Sequence, residues 1–190
     1  MIPVAFTLFN GTSGKPYNEL KLKGSTAAES VLLLNEVKQD FVFSNIPEKP
    51  IISLFQGFSA PVKIERSVPD ETLQFLCAND TDPINRWDAL QQLIKKQIRE
   101  WVGQCQANVT LPVNNSFAPL FKSLLNNETE SIFLKALLLQ PPSITELMGL
   151  FDIIPIEALE KVYRHWVKTL AQDLSEIWHA VYKRWAAELQ

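Results

Sequence analysis

Residues 55–65 read FQGFSAPVKIE, and Ser67, Val68 and Pro69 follow before Asp70 and Glu71. The apolar pattern changes its period here. From Pro61 to Arg66, Val62 and Ile64 alternate with Lys63 and Glu65, as in a half-buried strand. From Pro69 on, the spacing becomes helical, with Pro early and two acids in the first turn. The stretch therefore predicts a junction. It is the last strand of a β domain, with Val62 and Ile64 facing the core and Gly57 and Pro61 allowing a bend or bulge at its start.

Upstream of the junction the period is 2. Ile2 to Phe9 (IPVAFTLF), Val31 to Leu34 (VLLL), Gln39 to Ser44 (QDFVFS) and Ile51 to Leu54 are strand candidates. Gly, Pro and Asn separate them, as in Asn10-Gly11, Gly14, Pro16, Pro47 and Pro50. Short, punctuated strands of this kind predict an antiparallel β-sandwich over residues 1–67.

Downstream the period is near 3.6. Leu73, Phe75, Leu76 and Cys77 give the first helix its apolar side. Asp82 and Pro83 form an N-cap and N1 pair. Ile84, Trp87, Leu90, Leu93, Ile94, Ile98 and Trp101 then make a stripe on a helix of about five turns. Ser116 to Leu125 and Glu128 to Leu139 read as further helices. Ser143 and Glu146 have capping-box spacing. Pro155 opens a final helix expected to run to the chain's end, through Leu159, Val162, Trp166, Leu170, Leu174, Ile177, Val181 and Trp185. The expected fold is α+β: an incomplete, immunoglobulin-like sandwich over 1–67, then an all-α, solenoid-like region over 68–190. The closing segment WHAVYKRWAAELQ is strongly apolar and has no terminating Gly or Pro. It predicts that further C-terminal helices cover it, because a solenoid buries its faces against neighbours on both sides.

Composition excludes several function classes. With 46% apolar residues and a net charge of -3, the chain can build a core and shows no basic bias toward nucleic acid or an anionic membrane. No stretch approaches the roughly 20 apolar residues that span a bilayer. The N-terminus lacks the basic region of a signal peptide, so a reducing, cytoplasmic setting is the expectation. Cys77 and Cys105 read as reduced thiols. Asn10, Asn79, Asn108, Asn114 and Asn127 begin N-x-S/T sequons, read as Asn-rich turns.

Catalytic constellations are missing. His165 and His179 are fourteen residues apart, roughly 21 Å along one helix, too far to share a metal. Glu160 lies at an unsuitable spacing from His165. Ser59 lacks the second Gly and the following helix of a nucleophile elbow. Glu71, Asp80 and Asp82 read as helix-start acids. Lys95, Lys96 and Arg99 read as a wet helix face, and Trp166, Trp178 and Trp185 as packing. No catalytic, cofactor-binding or metal-binding residue is expected in this chain.

Three stretches occur together in a familiar order: GFSAPVKIE (57–65), DPINRWDALQ (82–91) and MGLFDIIPI (148–156), the last preceded by PPSITEL (141–147). In that order the chain resembles the region after the catalytic domain of the bacterial aminopeptidase N family, zinc metallopeptidases of the gluzincin class. FVFSNI, at 41–46, with Pro50 also fits the family's strand before its F-S-A-P run. Two positions depart: Ile84 stands where the family often has Phe, and Ile154 stands before Pro155 where the family has Asp. The resemblance implies that the chain is a non-catalytic, C-terminal portion of a longer enzyme that removes N-terminal residues from peptides. It implies that this portion packs against the parent's catalytic domain and walls off the active site, meeting peptide substrate only through the parent. The family's H-E-x-x-H, distal Glu and G-x-M-E-N belong upstream, so zinc is expected in the parent and no catalytic residue carries over to any position here. It also implies strands before Ile2, whose absence would leave unpaired edges. The alternative is a stand-alone sandwich-plus-helix module that binds a partner through its tryptophan-rich final helix.

Overall fold

A computed structural model of the chain describes residues 1–23, 30–128 and 130–188. The chain divides into two compact units, 1–90 and 91–190.

The first unit is built on three strands: β1 (Ile2–Phe9), β2 (Val31–Leu34) and β3 (Ile51–Leu54), in the order β2-β1-β3. Both pairings are antiparallel. The first half of β1 pairs with β2, Ile2 opposite Leu34 and Ala5 opposite Val31. The second half pairs with β3, Phe6 opposite Leu54 and Phe9 opposite Ile51. Even-numbered positions of β1 face one core: Val4, Phe6 and Leu8 are buried with Leu20 and Leu32. Burying each such side chain stabilises the fold by about 1.5–3 kcal/mol. A second layer forms around an isolated antiparallel bridge, Leu22 to Phe43, flanked by bonds from Lys23 N–H to Val42 O and from Ser44 N–H to Lys21 O. The expected strand at 39–44 is thus reduced to one bridged residue, Phe43.

The strand expected at Pro61 to Arg66 is not formed: the segment has no ladder partner. Val62 and Ile64 are exposed rather than facing a core, and Lys63 pairs with Glu65 in solvent. Alternation alone gives an extended chain. A strand also needs a neighbour, and Pro61 removes one of the donors that would recruit it.

Two helices complete the first unit: α1 (Asp70–Asn79) and the start of α2 (Pro83–Gln106). Phe75 of α1 packs edge-on against Phe9, with ring centroids 5.9 Å apart. Asn10 Oδ1 accepts the N–H groups of Thr12 and Ser13, and its amide donates to Tyr17 Oη. This sequon is a structural turn. The Thr of the Asn127 sequon, residue 129, lies outside the described residues.

The second unit contains the rest of α2, then α3 (Ala118–Asn126), α4 (Ile132–Leu138), α5 (Ile144–Met148), α6 (Ile156–Asp173) and α7 (Ser175–Glu188). Its buried apolar side chains include Ile94, Ile98, Phe121, Leu125, Leu138, Leu159, Val162 and Trp166. The capping box forms as its spacing predicts: Ser143 Oγ accepts Glu146 N–H, and the Glu146 carboxylate accepts Ser143 N–H. The final helix does not run unbroken. It ends at Asp173 and restarts at Ser175, with Leu174 fully buried at the break. No Gly or Pro marks that position in the sequence. Among the described residues, no helix is long and apolar enough to cross a membrane.

Candidate functional site

The densest polar constellation lies in the first unit, where the residues of FQGFS meet those of DPINRW. After Leu54 the chain leaves the sheet through left-handed backbone at Phe55 (φ 59°), Gly57 (φ 61°) and Phe58 (φ 52°). For the two phenylalanines this conformation costs on the order of 1–2 kcal/mol each, so neighbours must hold it. Gly57 N–H donates to Asp82 Oδ2 at 2.6 Å. Asp82 Oδ1 accepts from Ile84 N–H at 2.8 Å and Asn85 N–H at 3.1 Å, capping α2. Asn85 donates to Ser53 Oγ and Leu54 O. Gln56 accepts from Thr7 Oγ1–H at 2.8 Å and donates to Asp80 Oδ1 at 3.0 Å. Arg86 Nε donates to Cys77 O, and Arg86 is buried.

Ser59 has a role that sequence reasoning missed. Its Oγ accepts Ala5 N–H at 3.0 Å. Phe6 N–H donates to Ser30 O on the β2 side, so Ala5 N–H, one residue earlier, points to the β3 side. By then β3 has turned away at Phe55. The serine hydroxyl supplies the acceptor that the strand no longer offers. Its oxygen thus serves the edge of the sheet as a backbone acceptor.

The acids sit among amides rather than beside a base. Asp80 is buried, and its Oδ2 has no hydrogen-bond partner in the structure. Cys77 is buried beneath them, and that burial pushes its thiol up from 9.0 to about 11, against a smaller lowering by Arg86. A thiol so placed stays protonated and unreactive.

In the second unit Trp166 packs as expected, whereas Trp178 is exposed. His165 Nε2 lies 2.7 Å from Pro112 O, and its ring leans on Trp101 with centroids 5.7 Å apart. His179 is on α7, beyond the break at Leu174. Trp166 is buried and donates Nε1–H to Gln97 Oε1 at 2.7 Å. Trp185 lies under Lys135 Nζ, 6.0 Å from the ring centroid. Lys95 pairs with Glu146 at 3.8 Å, on the wet face where it was expected. Lys135 is buried, with its ammonium 3.4 Å from Leu125 O at the end of α3. No pattern in the sequence separates this lysine from the surface ones.

A cleft of about 380 Å³ beside His165 is lined by Cys105, Asn108, Val109, Thr110, Leu111 and Lys161. It gathers one thiol, one imidazole and one amine. Among the described residues, no group of three or more His, Cys, Asp or Glu side chains is placed to hold a metal ion. Zinc does not fit the donors these residues provide.

The chain has counterparts among known proteins. A family model described as domain of unknown function DUF3458, Ig-like fold, matches residues 1–67, and one described as DUF3458_C, ARM repeats, matches residues 70–190. This chain carries the DUF3458 domain and, over more than half of its length, belongs to the DUF3458_C family. The DUF3458 chain is 34% identical to Aminopeptidase N of Escherichia coli over 95% of its own length and 20% of that protein's. It is 30% identical to Aminopeptidase N of Caulobacter vibrioides over 77% of its length and 17% of the relative's. The crystal structure of Legionella pneumophila aminopeptidase A in complex with aspartic acid superposes with a TM-score of 0.71 at 26% identity. It covers 96% of the DUF3458 chain and 20% of the solved one. The chain thus spans about a fifth of the length of the curated relatives it matches most fully. The resemblance to aminopeptidase N is borne out, as is an α+β fold with a sandwich-type sheet followed by repeat-type helices.

Proposed function

We propose that this chain is a non-catalytic portion of a zinc-dependent aminopeptidase N that removes N-terminal amino acids from peptides. In the longer enzyme it supports the catalytic domain and walls off the active site, in the cytoplasm. The carrying observation is similarity to aminopeptidase N along 95% of the chain, over only a fifth of the relative. The site chemistry supports it. Gly57, Asp82, Asn85 and Ser59 are occupied in holding a turn against a helix start. They serve architecture, and catalysis with its zinc falls to the rest of the parent. The domain boundary is proposed at 67/68, with α1 and the first turn of α2 docking back on the sheet.

The test compares the full-length enzyme with the 190-residue chain. Each is assayed with an aminoacyl-arylamide and analysed for metal, and circular dichroism establishes that the short chain is folded. Full-length protein is expected to turn over substrate and carry stoichiometric zinc, and the folded chain to do neither. Zinc-dependent turnover by the chain alone overturns the reading.

A further inference from the structure

The sheet has a face that is covered along half its length and bare along the other half. Val4, Phe6 and Leu32 point to the core, so Pro3, Ala5, Val31 and Leu33 share the opposite face. They are cross-strand neighbours: Pro3 stands opposite Leu33, and Ala5 opposite Val31. Farther along that face, Phe9 and Ser53 lie under the helices, and Thr7 bonds to Gln56 of the turn after β3. Phe75 of α1 packs on Phe9, and Asn85 of α2 donates to Ser53 Oγ. The helical cover stops there. Beyond it, Val31 is 41% and Leu33 44% exposed.

An outward sheet face in contact with water is ordinarily polar. Here four adjoining positions are Pro, Ala, Val and Leu, with no charged or hydrogen-bonding side chain among them. The run VLLL has no polar alternation, the pattern of a strand buried on both faces. The described residues supply only one of those two burials.

We propose that this half-face is the seat of an apolar surface from the part of the aminopeptidase that lies outside these 190 residues. It continues the cover that α1 and α2 begin. The inference rests on the reading of the chain as a portion of a longer enzyme. Two observations select the occupant. The matched relatives are about five times longer than the stretch they share with this chain, so most of such a protein is available to cover it. The bare patch is also continuous with one already roofed by helices of the same polypeptide, and it carries no charge that would suit a polar ligand.

The test uses the full-length enzyme with single substitutions Val31→Cys, Leu33→Cys and Val37→Cys. Val37 is fully exposed just past β2 and serves as reference. Modification by a water-soluble maleimide is followed by peptide mass, so native thiols do not interfere. Positions 31 and 33 are expected to react about thirtyfold or more slowly than 37, because reactivity follows exposure. A smaller difference, which half exposure alone gives, overturns the proposal. So does protection that disappears on dilution, since a second copy would then be the cover. Turnover is measured on the same samples. An active enzyme with a reactive position 33 defeats this inference and leaves the proposed function standing.

Discussion

Gly57 N–H and Asp82 Oδ2 are 2.6 Å apart, and that bond couples a left-handed turn after β3 to the first turn of α2. Asp82 uses its other oxygen to cap the helix. One carboxylate therefore holds two backbone features that each lack a local partner. Asp82→Ala is expected to remove both, costing about 2–3 kcal/mol, a cap of about 1 kcal/mol plus a charge-assisted bond. Asp82→Asn, which keeps a cap acceptor, is expected to cost less. Urea unfolding of both variants checks the order.

Glu146 closes the α5 capping box, and its carboxyl is held below the usual 4.5 chiefly by the backbone bond from Ser143, with the Ser143 hydroxyl next. A depressed carboxylate stabilises the fold above its unfolded pKa, and the effect fades as pH falls through the folded value. Glu146→Gln is expected to be less stable than wild type near neutrality, with the difference shrinking as pH falls below about 4.5, so that the acid limb is flatter. Thermal midpoints across that range measure it.

Cys77 gives the opposite limb. Its thiol is raised from 9.0 to about 11 by burial. A raised pKa means that the stabilising contribution is intact below 9.0 and is lost as pH climbs toward 11. Wild-type stability is expected to fall across that interval. Cys77→Ala, though less stable throughout from the lost side chain, is expected to fall less steeply. In the native protein, alkylation is expected at half-buried Cys105 before fully buried Cys77.

Trp166 is buried, donates to Gln97, and its backbone carbonyl accepts from the Asn115 amide. Trp166→Phe is expected to destabilise by about 2–4 kcal/mol, through a cavity and a Gln97 oxygen left without its indole donor. A companion Gln97→Leu should cost less in the Trp166→Phe background than alone. A double-mutant cycle reads the coupling.

Much of the helical half was legible because its signals are local. Asp82-Pro83 and Ser143 to Glu146 close hydrogen bonds within three residues, so spacing alone announces them. The sheet was legible where strands have partners: Ile2 to Phe9, Val31 to Leu34 and Ile51 to Leu54. Val62 and Ile64 alternate as well, but no strand lies beside them. Leu174 interrupts a helix whose stripe runs straight through it, with no local signal to mark the break. The candidate joint was half visible. The caps could be read, but the positive φ at Phe55 and the hydroxyl of Ser59 become meaningful only once β1 is beside them.

Ser59 also decides what β1 can be joined to. Between Pro3 and Ala5, the β3 side of that strand has one residue with no N–H and one whose N–H is already taken by a hydroxyl. An incoming strand from another molecule would find no donor there to begin a ladder. The serine thus acts as a plug against fibril-like stacking at this edge of the sheet.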